Sequence, residues 1–187
     1  MRNALSVDVE DWFHVGAFEN VISRDDWRSL ECRVERNTDA LLLMFSDADI
    51  KATFFMLGWV AERFPQLMRR IANEGHELAN HGSEHDRVFT LSPAEFAADI
   101  LRARKAIEDA SGTLVTGYRA PSFSIDHRTP WAHEVLAEQG YAYSSSVAPV
   151  KHDHYGWAEA PRFAFRPLKD APLVELPVTT ARFTSVP

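Results

Sequence analysis

Apolar residues along this chain follow two alternating rhythms, short continuous runs and longer stretches in which they return every three or four positions. Residues 4–9 are a short, partly β-branched run between polar neighbours and read as a strand. Residues 51–57 stay apolar without alternating, which predicts a second strand buried on both faces. Between the two, Asn37 or Thr38 is placed to cap a helix carrying Leu41, Leu42, Met44 and Phe45. Pro65 suits the first turn of another helix, with Leu67, Met68 and Ile71 at helical spacing and Gly75 as its stop. A third strand follows at Glu77–Asn80.

Ser92-Pro93-Ala94-Glu95 is a capping box with proline at the first helical position. It opens a helix whose Phe96, Ile100, Ala103 and Ile107 share one face and which Gly112 closes. Thr129-Pro130 repeats that start, with Val135 and Leu136 inside and Gly140 as the stop. Strands at 116–120, 141–144 and 173–178 complete the series. Repeated alternation of strand and helix predicts a parallel sheet, open or closed, with helices outside. The stretch 152–172 is rich in Pro, His and aromatic residues without periodicity and reads as an ordered loop.

Composition narrows this picture. A length of 187 residues predicts one domain spanning 1–187, and 45% apolar with 25% charged residues is ordinary for a globular chain. The net charge of -7 disfavours a nucleic-acid partner. Cys32 is the only cysteine, so no intrachain disulfide forms. Neither a signal-peptide pattern nor an apolar run near the roughly 18 residues of a membrane span is present, and the expectation is a cytoplasmic protein with no transmembrane segment.

The chemistry sits where strands end. His81 and His85, four positions apart after the third strand, have a spacing that lets both rings reach one metal ion. Asp8, Glu10 and Asp11 close the first strand, and Arg119 the fourth. Two histidines and one carboxylate make a catalytic zinc set with one position open to water. Catalytic groups gather at the C-terminal strand ends of parallel α/β folds, so the shared location favours a metal hydrolase. Trp12, Trp59 and Phe123 lie next to these residues and suit a sugar ring. His14 either lines a cleft or packs in its loop; His76 reads as packed, His127 and His133 as solvated, and His152 with His154 as a weak second metal pair.

At these residues the chain resembles the polysaccharide deacetylases, carbohydrate esterase family 4. Ser6-Val7-Asp8-Val9-Glu10-Asp11 is similar to the family's first motif, His81-Gly82-Ser83-Glu84-His85 to its second and Arg119-Ala120-Pro121-Ser122-Phe123 to its third. Asp8-Val9-Glu10-Asp11-Trp12-Phe13 and Tyr143-Ser144-Ser145-Ser146-Val147 resemble a bacterial branch associated with exopolysaccharide and exosortase gene clusters. The resemblance implies a distorted (β/α) barrel of fewer than eight repeats, parallel strands inside and helices outside. It also implies a metal-dependent N-deacetylase, usually zinc, acting on N-acetylated glycans. Asp8 would be the base and Arg119 would orient it and hold it ionised, since an opposite charge within a few ångströms favours a carboxylate. His81 and His85 would be metal ligands, and Trp12, Pro121 and Phe123 would face the substrate.

Two departures accompany the likeness. Val9 stands between the acidic residues, so the third ligand is Glu10 if the strand continues past Val9 and Asp11 if it ends there. The family's last motif, which supplies a leucine and a histidine acting as general acid, has no match before Pro187, which suggests a chain shortened at its C-terminus; Ser144 stands where an aspartate is often found. Two other readings keep the fold: an amidase acting on a cyclic ureide or lipid-linked amino sugar, and a glycan-binding remnant with little turnover.

Overall fold

The computed structural model describes residues 4–153 and 155–181. Its elements, in chain order, are β1 (Ser6–Val9), α1 (Val34–Asp47), β2 (Thr53–Met56), α2 (Gly58–Arg63), α3 (Pro65–Asn73), β3 (Glu77–Asn80), α4 (Pro93–Ser111), β4 (Gly117–Tyr118), α5 (Ala132–Glu138), β5 (Tyr143–Ser144) and β6 (Val174–Glu175). All six strands are parallel and lie in sequence order, each paired with the next.

The sheet is curled. In a flat sheet, strands three apart sit about 14 Å from each other, yet Arg119, just past β4, reaches Asp8 of β1 at 2.6 Å. Phe55 of β2 meets the Tyr143 ring of β5 at 6.5 Å between centroids. Side chains from nonadjacent strands therefore converge inside, as in a (β/α) barrel with fewer than eight repeats.

Between strands and helices lies the core, where Phe54, Met56, Leu67, Ile71, Phe96, Ile100 and Ile107 are fully buried. Each such side chain contributes roughly 1.5–3 kcal/mol of transfer free energy. The capping box forms as the sequence dictates: Ser92 Oγ accepts the Glu95 N–H and Glu95 accepts the Ser92 N–H. Gly112 ends α4 at φ +74°, the left-handed conformation in which glycine lacks the steric penalty of a side chain. Gly58 opens α2 where a Cβ would come within 3.0 Å of the Ala103 backbone of α4, so the two helices approach closely only because it is glycine.

Several expectations are corrected. Helix α1 begins at Val34, ahead of Asn37 and Thr38, and its N-cap Arg33 offers no side-chain cap of its own. The cap comes from Asp11, whose Oδ2 accepts the N–H groups of Arg33 (2.7 Å) and Val34 (3.1 Å). A short extra helix, α2, precedes Pro65. Helix α5 starts at Ala132, because Thr129 Oγ1 accepts the Asp126 N–H and closes a separate turn. The last three strands are two residues each, shorter than the expected runs. His133, read as solvated, is buried against β6. Loop 152–172 carries an antiparallel bridge, Phe165 to Glu175, and His154 lies outside the described residues. Among the described residues, no helix is long and apolar enough to cross a membrane.

Candidate active site

Asp8 and Arg119 form the centre of the upper end, where the strands finish. The Arg119 guanidinium is fixed on all sides: Nη1 donates to Asp8 Oδ1 (2.6 Å), Nη2 to Ser6 Oγ (2.9 Å) and Ser145 Oγ (3.0 Å), and Nε to the Ser145 carbonyl (3.0 Å). It also stacks over Phe55 at 4.0 Å. Five contacts hold one planar cation, so Asp8 faces a charge that cannot swing away.

The segment from His81 to His85 is a tight loop pinned from several sides. Asn80 Oδ1 accepts the Gly82 N–H, Asp99 accepts that of Ser83, and the Gly82 and Ser83 carbonyls accept the N–H groups of Gly58 and Trp59. Gly82 at φ +79° and His85 at φ +61° turn the loop back on itself, and the two imidazoles stand 5.5 Å apart between centroids.

His81 is buried, and burial above all pushes its pKa below the ordinary histidine value. Its Nδ1 lies 2.9 Å from the Arg119 carbonyl. A carbonyl only accepts, so the neutral ring donates through Nδ1 and keeps a lone pair on Nε2, the arrangement in which a histidine is held ready for a metal.

Glu10 is the carboxylate that meets His85. Its Oε2 sits 2.9 Å from His85 Nε2, yet that buried oxygen has no hydrogen-bond partner. Burial would raise the Glu10 pKa, but the contact with His85 and the electrostatic influence of His85, His81 and His14 bring it below the usual carboxylate value. Strand β1 ends at Val9, and even so Asp11 is not the residue on this side. Its carboxylate is spent on the backbone N–H groups of Trp12, Arg33 and Val34. The expectation that a strand ending at Val9 would favour Asp11 is thus corrected by the demand of α1 for a cap.

These residues fit a divalent cation in chemistry. An orphaned carboxylate oxygen, a histidine nitrogen beside it and a second histidine with a free Nε2 form a donor set of the zinc type. Among the described residues no three such side chains converge on one point.

Beside this cluster is a cavity of about 450 Å³ lined by Phe13, His14, Trp27, Glu84, His85 and Ser122, among others. Of the residues expected to face substrate, Phe123 is half-buried with its ring 5.6 Å from the Arg119 guanidinium. Trp12 packs on Phe13 and Phe18 and donates to the Glu31 carbonyl, away from the cavity lining. Pro121 is buried near Gly82 and offers a ligand little surface.

Sequence reasoning left His14 undecided. Its Nδ1 accepts the Asp11 N–H at 2.8 Å, which places the proton on Nε2, and that atom is buried without a partner. An aromatic cage of Phe13, Trp27 and Trp59 surrounds the ring, and burial pushes its pKa down to about 4. The WFH sequence after the acidic cluster was the available signal, since a histidine that follows two aromatics is dehydrated wherever they pack around it.

Comparison with known proteins agrees with this architecture. Residues 145–187 match a model described as a domain of unknown function (DUF3473). A peptidoglycan-N-acetylglucosamine deacetylase of Bacillus cereus is 32% identical over 117 residues, 62% of this chain and 41% of that protein. A chitooligosaccharide deacetylase of Bradyrhizobium sp. is 30% identical over 130 residues, 70% of this chain and 53% of that protein. The crystal structure of a candidate polysaccharide deacetylase from Mycobacterium smegmatis aligns with a TM-score of 0.71 at 26% identity, over 94% of this chain and 58% of that one. The chain spans about half the length of these relatives. Residues 22–144, which include His81, His85 and Arg119 but follow Asp8 and Glu10, match the polysaccharide deacetylase model, and on that match over more than half its length the chain belongs to the polysaccharide deacetylase family.

Proposed function

We propose that the chain carries the catalytic machinery of a metal-dependent hydrolase that removes N-acetyl groups from a polysaccharide containing N-acetylhexosamine. The observation that carries the reading is the Asp8–Arg119 pair at 2.6 Å, standing over the loop of His81 and His85 with Glu10 against it. The named activities of the Bacillus and Bradyrhizobium relatives support the substrate class.

An acetamide is a poor electrophile, and its hydrolysis needs a polarised carbonyl, an activated water and a proton acceptor. A divalent cation, zinc foremost, held by His81, His85 and Glu10 would supply the Lewis acidity for the first two. Arg119 occupies Asp8 Oδ1, which leaves Oδ2 to accept the proton of the attacking water. The His81 Nδ1–H bond to the Arg119 carbonyl couples the orientation of that ring to the same arginine. Phe123, half-buried near the guanidinium, gives a sugar ring an apolar face to rest on. The first-strand and late-strand wording favours an exopolysaccharide as the glycan.

Acetate release from N-acetylated oligosaccharides tests this directly. Release is expected to stop with a chelator, return with zinc, and fall about 10³-fold in Asp8→Ala. Release unchanged by chelation or by Asp8→Ala would overturn the reading.

A further inference from the structure

Strand β6 holds a carboxylate with no place in the chemistry above. Glu175 is fully buried, and a buried carboxylate needs partners for both oxygens. Oε1 accepts the N–H groups of Ser146 (2.8 Å) and Val147 (2.9 Å), while Oε2 lies 3.1 Å from His133 Nε2 on α5. The segment gripped in this way is the one that holds Arg119. Ser145 takes two guanidinium hydrogen bonds through its carbonyl and its Oγ. Ser146 Oγ accepts the Ala120 N–H, next in chain to Arg119, and is linked to Ser144 Oγ at 2.8 Å. The Ser145 N–H is anchored on the Tyr118 carbonyl and the Val147 carbonyl accepts the Val178 N–H. A continuous path thus runs from His133 and Glu175 through Ser145 and Ser146 to Arg119 and Asp8.

We infer that Glu175, braced by His133, is a positioning residue of the active site, clamping residues 145–147 so that Ser145 fixes the Arg119 guanidinium against Asp8. Ser144 is uncharged, and the buried carboxylate of this region stands on the neighbouring strand, at the position paired with Ser144. The described residues 145–147 and Glu175, which fall in the stretch matched by a model of unknown function, then supply the frame for the catalytic arginine. A frame this close to the reacting groups matters because a displacement of about 1 Å can cost up to roughly a hundredfold in rate.

The inference rests on the deacetylase reading, so its test combines kinetics with a measurement that needs no activity. Glu175→Gln keeps size and removes the charge. We expect kcat for acetate release to fall about tenfold or more with KM within about twofold, since the base is misplaced while the glycan site is intact. In nitrogen-15 NMR spectra the slowly exchanging Arg119 Nε–H signal is expected to broaden or vanish, while backbone dispersion stays native. Ser145→Ala should lower kcat in the same direction, and Ser145→Thr, which keeps the hydroxyl, should restore it. If Glu175→Gln does not fold, His133→Ala and Ser145→Ala decide the matter, the former by both readouts and the latter by kcat. Native kcat and an unchanged Arg119 signal in folded Glu175→Gln, with Asp8→Ala inactive, would overturn the clamp alone. Full activity in Asp8→Ala would remove the deacetylase mechanism and leave the Arg119 signal to judge the clamp.

Discussion

The two ends of the barrel each present a carboxylate among neighbouring strands, and they spend it differently. At the lower end, Glu77 of β3 accepts the Thr53 hydroxyl (2.5 Å) at one oxygen and the Tyr143 hydroxyl (2.9 Å) at the other. Burial and the adjacent Glu77 charge push the Tyr143 phenol well above its ordinary pKa, so it remains a neutral donor. At the upper end, Asp8 faces the Arg119 guanidinium, and Glu10 Oε2, 2.9 Å from His85 Nε2, has no hydrogen-bond partner although buried. The lower arrangement is exposed and satisfied, while the upper is buried and incomplete. Stability alone favours the first kind, so the second marks where the fold holds groups in reserve for a ligand.

Substitutions sharpen this contrast. The largest effect is expected at the upper centre: Arg119→Met should lower deacetylation about 10²-fold or more, because Asp8 loses its fixed partner, with kcat measured on folded protein. Next comes acidity. The His14 pKa of about 4 lies below its ordinary 6.5, so the folded state refuses a proton that the unfolded chain accepts, and the contribution is full above about pH 6.5 and lost as pH falls toward 4. That difference corresponds to about 3 kcal/mol at most. Glu10, His85, Asp11 and Arg24 are the titratable and charged groups facing His14, and His76, lowered by burial, works in the same direction at the lower end. Urea titrations of chelated protein at pH 7 and 4.5 should show the loss, and His14→Asn, whose amide oxygen can accept the Asp11 N–H, should show less of it.

The two acidic neighbours should then separate by type of damage. Asp11→Ala leaves three backbone N–H groups without their acceptor and should cost about 1–3 kcal/mol of stability with zinc affinity nearly unchanged. Glu10→Gln should do the reverse, losing about 10- to 100-fold in zinc affinity by competition titration at nearly native stability. Equal losses of affinity in both would erase the distinction drawn between them. The smallest effect belongs to the lower end, where Tyr143→Phe should cost about 1 kcal/mol and change kcat less than about twofold.

Features encoded by local rules were legible in the sequence. The capping box of α4, the glycine stops and the unbroken apolar run of β2 follow from neighbours within a few residues. Asp8, His81 and Arg119 stood out because parallel strands deliver polar groups to one end. What the sequence hid depends on long-range pairing. Asp11 caps a helix that starts 23 positions later, so nothing adjacent betrays its role. His133 looked solvated near a helix start because its partner, Glu175, lies 42 residues away. Strands β4, β5 and β6 are short because loop residues take over at their ends, where Arg119, Ser145 and Leu176 still hydrogen-bond to neighbouring strands.

Sequential strand order has a consequence for the chain as it leaves the ribosome. Each strand can dock on the one made just before it, so the sheet can grow outward without waiting for distant partners. Every side chain assigned a chemical role is synthesised by residue 123, while the carboxylate that braces the Arg119 frame arrives only with β6. Biosynthesis therefore separates possession of the proposed catalytic groups from their alignment, and a nascent chain holds the former well before the latter.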